Sequence, residues 1–418
     1  MDIYKHVMDK AKKAKSAASR MAGLETSVKN KSLLEMADAI IDKRAEIKEA
    51  NGKDLANAES FGLTSAMIDR LTLTDARIDG MAGGLRELAS FPDPVGKLTE
   101  VVKRPSGITV GRMTVPIGLV GFIYESRPNV TVDAAGITLK AGNAILLRGG
   151  KEALNSNIML AGILNDVGVA NGIPDGAISI IEMTDREGVK HIIEAAGIVD
   201  LVIPRGGKGL IHAVADNAKI PVIKHFEGNC HVYVHSTADI ASAIAITVNA
   251  KTHRPGVCNA AETLIVHKDI ANEFLPLAAK ELTEKGVELR GDESARAIIP
   301  AMKEAVEDDW YTEYLELILA VRVVDSLADA VNHINKYSSC HTDAIVANDI
   351  ASADYFVTNV DSSSVMVNAS TRFSDGGEYG LGAEIGISTD KLHARGPMGV
   401  ADLTTYKWVV RGNGAIRE

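Results

Sequence analysis

From Asn143 onward the chain alternates strand-like and helix-like runs with almost no interruption, and this alternation constrains the fold more than any other feature. Ala144 to Leu147 reads as a strand, Glu152 to Val169 as a helix, Ile178 to Glu182 as a strand and Arg186 to Ala196 as a helix. Val199 to Ile203, Gly209 to Asn217 and Pro221 to Lys224 continue as strand, helix and strand. Strands joined by helices run parallel, because a crossover of that length returns the chain to the same end of the sheet. A second series starts near Val232 and runs through Glu262 to Val266, helix Ala271 to Glu284, strand Ile318 to Val324, helix Leu327 to Ile334 and strand Ala344 to Ala347. Two series predict two α/β domains with parallel sheets and a boundary close to His235, for which 418 residues give ample length.

The flanks follow different patterns. Residues 2 to 90 are helical in period: Ile3, Val7, Met8, Ala11, Ala14 and Ala18 recur at three-to-four spacing, as do Leu33, Leu34, Ala37, Ile40 and Ile41. After Pro92 and Pro94 two β-rich runs, Leu98 to Lys103 and Ile108 to Tyr124, flank the turn residues Pro105, Ser106 and Gly107 and predict a hairpin that reaches outside the main domain. The glycine-rich stretch between Gly376 and Gly399 reads as loops, followed by a strand at Thr404 to Val410. Lysine and arginine number 45 against 55 acidic residues, a net charge of −10 without a basic block, so the electrostatic footprint of a nucleic-acid or anionic-membrane binder is missing. No apolar run approaches the roughly 18 residues of a membrane span. Cys230, Cys258 and Cys340 are too scattered to staple a secreted fold and fit a reducing compartment. The lysine-rich N-terminus does not read as a signal peptide, so a cytoplasmic location and a small-molecule ligand are expected.

Glycine clusters suggest phosphate. Pro204-Arg205-Gly206-Gly207-Lys208-Gly209 follows a predicted strand and opens a helix, where backbone N–H groups and the helix dipole attract anions. It lacks the spacing of the Walker A loop and of G-x-G-x-x-G, so an ordinary tight turn stays open beside phosphate binding. Arg148-Gly149-Gly150-Lys151 adds two cations on the same carboxyl edge, and the two turns together favour a nucleotide crevice. Among the cysteines, Cys258 lies in Lys251-Thr-His253-Arg254-Pro-Gly-Val-Cys258-Asn259, where positive neighbours favour a thiolate; a buried, inert thiol is the alternative. His225, Cys230, His231 and His235 follow no zinc spacing, so no metal is expected. A G-x-S-x-G elbow is absent.

At this loop the sequence resembles the aldehyde dehydrogenase superfamily, and within it the γ-glutamyl phosphate reductase family, over almost the whole chain. The most specific segment is Val324 to Ile345, including Asn335-Lys-Tyr337-Ser-Ser-Cys340-His341-Thr-Asp343. Tyr124-Glu-Ser-Arg127-Pro-Asn129, Asn249 to Ala260, Asn368-Ala-Ser-Thr-Arg372 and Gly382 through Pro397 are also family-like.

The resemblance implies an aldehyde dehydrogenase-like fold, with residues 1–97 and 125–235 as cofactor domain and 236–367 as catalytic domain. Residues 98–124 and 400–418 would form a β oligomerisation flap, and 368–399 would be substrate and cofactor loops returning to the cofactor domain. It implies NADPH-dependent reduction of L-glutamyl 5-phosphate to L-glutamate 5-semialdehyde with phosphate release, in proline biosynthesis. Cys258 becomes the nucleophile and Asn129, with the backbone N–H of Cys258, an oxyanion hole. Where hydrolytic relatives carry the Glu of Glu-Leu-Gly-Gly, this chain has His225, so the water-activating base is displaced; His225 then serves phosphate departure or proton transfer, or is a satisfied histidine. Arg148, Gly149 and Lys151 replace a Lys-Pro-x-Glu cofactor loop, and cations there suit the 2′-phosphate of NADPH. Gly206, Gly207 and Glu313 fall on cofactor-contact positions, and Arg127, Arg254, His341 and Arg372 are candidates for the substrate's phosphate and α-carboxylate. A homo-oligomer is implied by the flap. A glutamate 5-kinase would supply the labile acyl phosphate, since no kinase segment precedes the helical layer. A CoA-acylating aldehyde dehydrogenase and an inactive oligomeric binding protein of the same fold are the alternatives.

Overall fold

The computed structural model describes residues 2–417, and the chain divides into two compact units, one of residues up to Lys224 with Gly380–Gly386 and Met398 onward, the other of His225–Tyr379 with Ile387–Pro397. Each has its own parallel sheet.

The first unit begins with the helices Ile3–Met21, Thr26–Asp42, Arg44–Ala56, Ser65–Leu71 and Asp75–Ser90. Asp2 caps the first through an acceptor bond from Lys5 N, and Val7, Ala11, Ala14, Ala18 and Met21 form its buried stripe, as the three-to-four spacing requires. The parallel sheet orders its strands Ile178–Ile180, Ala144–Arg148, Leu119–Tyr124 and Leu201–Arg205. Leu119–Tyr124 is buried at every position, the signature of a central strand covered on both faces. The expected β run Ile108 to Tyr124 is therefore two strands with different fates. Thr109–Pro116 pairs antiparallel with Leu98–Lys103 on one side and Thr404–Arg411 on the other, whereas 119–124 enters the parallel sheet. The break falls at Gly118, whose φ of 131° is closed to other residues and where a Cβ would lie 2.2 Å from Asp200 Oδ2. The flap accordingly ends at Pro116. Pro221–Lys224, expected as a strand, contributes only the isolated bridge between Val202 and Val222.

The second unit takes in residues 225–235, placed with the cofactor domain by the sequence pattern. Its seven strands are ordered Lys303–Glu304, Glu288–Gly291, Ile318–Val324, Ala261–His267, Cys230–Val234, Thr342–Val346 and Ser364–Val367. Period-two alternation sends Val232, Leu264, Val321 and Ala344 into one hydrophobic core and Tyr233, Ile265 and Ile345 into another. The helix Ile240–Thr252, invisible in the pattern, leads into the Cys258 loop.

Candidate active site

In the second unit, Cys258 lies half-buried on the loop between the helix Ile240–Thr252 and the strand Ala261–His267. The two ends of the loop are joined by a fully buried ion pair, Lys251 Nζ with Glu262 Oε2. Glu262 also accepts from Leu315 N at 3.2 Å, and burial drives the carboxyl upward and the ammonium downward from their ordinary values. On the far side of the loop, Thr371 Oγ1 donates to Asn259 O at 2.7 Å and Asn259 Nδ2 donates to Ser374 O at 3.0 Å.

The closest approach is made by Gly228. A Cβ at this position would lie 1.9 Å from Cys258 O and 2.4 Å from its carbonyl C and Cα, so only glycine lets the two backbones meet. Gly228 N donates to Glu313 Oε1 at 2.8 Å, Asn229 N donates to Ser339 Oγ at 2.9 Å, and Cys230 Sγ donates to Cys258 O at 3.2 Å. Segment 228–230 is thus bonded on one side and pressed against the Cys258 backbone on the other. His225, at the start of the same segment, has Nδ1 3.2 Å from Ile387 O and meets the His341 ring edge-on, with centroids 5.8 Å apart. His341 is fully buried beside Thr342 Oγ1 at 2.8 Å, beneath the segment and without exposed surface.

Arg372 Nε donates to His253 Nδ1 at 3.4 Å, and its guanidinium is pushed below its usual value by burial first and then by the charge of Arg254. Arg372 thus lies within the electrostatic reach of Arg254 and Cys258, whereas Lys251, the third cation of the loop sequence, is spent on Glu262. The other thiols differ. Burial raises Cys230 and Cys340, and Cys340 sits at a φ of 59°, a left-handed position that turns the chain into the strand Thr342–Val346.

In the first unit the strand order places Leu119–Tyr124 at a topological switch point: the chain leaves it to one side for Ala144–Arg148 and returns on the other for Leu201–Arg205. A crevice at the carboxyl ends of such strands is where nucleotides bind open parallel sheets. Glycine turns follow both neighbours. A Cβ on Gly149 would lie 2.1 Å from Asn157 Nδ2 and one on Gly206 2.4 Å from Glu125 Oε2, so a side chain at either turn would displace a neighbouring polar side chain. These features fit a dinucleotide. Glu125, unremarked in the sequence, accepts from Gly207 N at 3.0 Å, and the carboxylate of Glu152 accepts from Ser126 N and Oγ at 2.6 and 2.7 Å. The first carboxylate occupies the anion-attracting end of the helix Lys208–Asn217, and the second holds Ser126 at a φ of 50°. Arg148 Nη2 donates to Thr184 O at 2.9 Å and Asp185 O at 3.2 Å, which fixes its guanidinium on the protein backbone. Lys151 is exposed, its ammonium 4.6 Å from the Phe61 ring centroid.

After Ser126 the chain carries Arg127 and then Asn129, the first residue of the helix Asn129–Lys140. Asn129 Nδ2 donates to Asp133 Oδ2 one turn on, at 3.2 Å. Burial holds the Asp133 carboxyl up at about 6, against relief from Asn129 and the charge of Arg205. These residues line a cavity of about 370 Å³.

Residues 3–317 match the aldehyde dehydrogenase family, and the chain belongs to that family. Relatives named γ-glutamyl phosphate reductase include one from Thermoanaerobacter sp. (strain X514), 54% identical over 98% of this chain and 99% of its own length, and one from Halothermothrix orenii, 52% identical over the full length of both. The crystal structure of γ-glutamyl phosphate reductase from Thermotoga maritima superposes with a TM-score of 0.97 at 46% identity, covering 99% of this chain and 100% of that one. The expected α/β fold and the expected enzyme class, a nicotinamide-dependent oxidoreductase, are both met.

Proposed function

We propose that the protein reduces L-glutamyl 5-phosphate to L-glutamate 5-semialdehyde, releasing phosphate, with NADPH as reductant. The observation that carries the reading is the locked backbone of Cys258, held by Gly228 in a chain 54% identical to a relative named for this reaction. A nucleophile whose main chain cannot shift keeps both its sulfur and its N–H in place for one carbonyl.

The Cys258 thiolate attacks the acyl carbon. A C–S bond forms, the C–O bond to phosphate breaks, and phosphate leaves with the electron pair, with Arg254 and Arg372 as the cations that receive it. The Cys258 N–H and the Asn129 amide donate to the carbonyl oxygen as charge builds on it. The nicotinamide cofactor, when bound, supplies hydride. Cys258 then leaves as thiolate while the carbonyl of the aldehyde re-forms. His225 stands where hydrolytic relatives carry a carboxylate base, so the thioester is spared from water. Gly149, Gly206 and Gly207 give the cofactor bare backbone, Glu313 acts through Gly228, and Lys151 answers the 2′-phosphate while Arg148 supports its turn. Arg127 takes the substrate's α-carboxylate, and His341 supports His225 from beneath. Val101, Val102, Tyr406, Trp408 and Val410, all exposed on the antiparallel sheet, are the surface through which a second copy would pair. A kinase acting on glutamate would supply the acyl phosphate.

The test runs the reaction in reverse: aldehyde, NADP⁺ and inorganic phosphate should give NADPH, and CoA in place of phosphate should not. Cys258→Ser should remove turnover and the acyl adduct seen by intact mass. Full turnover in that variant, or CoA replacing phosphate, would overturn the proposal.

A further inference from the structure

The first unit holds a cavity between the helices Asp75–Ser90 and Asn129–Lys140, closed by the segment Gly382–Ile385. Its charges are mixed. Arg127 and Arg205 bring guanidinium groups, while Asp133, Glu384 and Glu87 bring carboxylates. Such a lining suits a zwitterion better than an anion, because an anion alone would leave the carboxylates opposed to it.

The carboxylates are not equivalent. Glu384 is paired with Arg205 Nη2 at 3.1 Å. Asp133 accepts one hydrogen bond, from the neutral amide of Asn129, and among the described residues no cation pairs with it. Its Oδ2 is taken and its Oδ1 is left facing Gly84, where even a Cβ would stop 3.9 Å away. Desolvation of this carboxylate is costly without a positive partner, and the cavity is the side from which a partner can come.

Glycine in the opposite helix makes the second observation. Gly80 and Gly84 lie one turn apart inside Asp75–Ser90 and both line the cavity. Glycine weakens a helix interior, and no protein atom lies within 4 Å of a Cβ at Gly80, so packing does not demand it there. What the two glycines preserve is open space in front of Asp133.

We propose that this cavity recognises the α-amino-acid end of the substrate, with Asp133 as the residue that accepts the α-ammonium. The inference rests on the reaction proposed above and adds the group that selects its substrate. Spacing supports it. Asn129 Nδ2 and Asp133 Oδ2 lie 3.2 Å apart, so a carbonyl oxygen on the amide's second N–H and an ammonium on Asp133 Oδ1 belong to one short molecule, and the acyl carbon and α-nitrogen of a glutamyl group, four bonds apart, span roughly 5 Å. An acyl oxygen on Asn129 therefore sets the ammonium against Asp133.

The test compares L-glutamate 5-semialdehyde with its des-amino analogue, 5-oxopentanoate, in phosphate-dependent NADP⁺ reduction by wild type and by Asp133→Asn. The ratio of kcat/KM for the two aldehydes is the readout, and any loss of the amino aldehyde to cyclisation cancels when the ratio is compared between enzymes. Asp133→Asn should lower that ratio by about 10- to 100-fold, mostly through KM for the amino aldehyde, the worth of a charge-assisted hydrogen bond. A fall in kcat that is equal for both aldehydes, with the ratio kept, would reduce Asp133 to a prop for Asn129 and overturn the proposal. Independently of any variant, L-glutamate should inhibit wild type at least about tenfold more tightly than glutarate; equal inhibition would also overturn it. Absence of phosphate-dependent activity in wild type would instead remove the underlying reaction.

Discussion

Replacing Gly228 with alanine tests whether the sulfur is positioned by a backbone contact. The added Cβ would sit 1.9 Å from Cys258 O and 2.4 Å from two further backbone atoms, where real Cβ contacts keep at least 3.0 Å. One partner must retreat by about 1 Å or more. The 228–230 segment resists, because its amides are bonded to Glu313 and Ser339, so the displacement falls largely on Cys258. Misplacing a reacting group by about 1 Å costs on the order of 100-fold in rate, and overpacking of this kind costs about 1–3 kcal/mol in stability. Gly228 has no positive φ, so the effect is purely steric. Gly256, two residues from Cys258, is the control: its Cβ would meet Leu315 O at an ordinary 3.7 Å, and Gly256→Ala should stay within about threefold in rate and 0.5 kcal/mol in stability. Steady-state kcat and thermal unfolding of both variants decide the matter. If Gly228→Ala folds and turns over within threefold of wild type, the locked-backbone account of Cys258 is wrong.

Two further outcomes follow from charges. Lys151→Glu should shift cofactor preference from NADPH toward NADH by about 10-fold or more, read as the ratio of kcat/KM for the two, because Arg148 is already spent on carbonyls of residues 184 and 185; an unchanged ratio would remove Lys151 from 2′-phosphate recognition. Folding raises the Asp133 carboxyl from 3.8 to about 6, so the folded state binds more protons in that window and stability falls as pH rises through it. Burial sets the window, with the Asn129 hydrogen bond and the charge of Arg205 pulling it down, and Arg127, Glu87 and Glu384 line the same cavity. Denaturant titrations of wild type and Asp133→Asn should therefore show the variant gaining about 3 kcal/mol relative to wild type between about pH 3 and pH 7, and parallel curves would refute the assignment.

The parallel architecture was readable because its signal is long-range. The strand Ile318–Val324 agrees with its expected limits at both ends, and Leu98–Lys103 does as well. What failed to show was decided by three-dimensional neighbours. The helix Ile240–Thr252 is apolar on several sides, and the run Ile-Ala-Ser-Ala-Ile-Ala-Ile-Thr-Val has no single stripe from which to read a period. The run Ile108 to Tyr124 looks continuous because nothing local reveals that Gly118 turns at positive φ against Asp200. At the site, the loop sequence offered Lys251, His253 and Arg254 as cations, but it could not show that Lys251 is buried against Glu262 or that Arg372, from elsewhere in the chain, bonds to His253. The role of Glu125 was not, since its partner Gly207 is 82 residues away.

Glycine shows why composition and motif stop short of the site. Gly228 and Gly84 are the same residue used for opposite reasons: at 228 the missing side chain lets two backbones collide no closer than contact, and at 84 it keeps a carboxylate facing open volume. A sequence records both as a residue without a side chain. The distinction lies in what a Cβ would meet, which is backbone in the second unit and a carboxylate oxygen at 3.9 Å in the first. The consequences separate in the same way. Filling position 228 strains the Cys258 backbone and should act on turnover, whereas changing the charge that position 84 exposes should act on which aldehyde is accepted. Turnover and selectivity should therefore answer to different substitutions, and a change at position 228 should leave the aldehyde preference measurable.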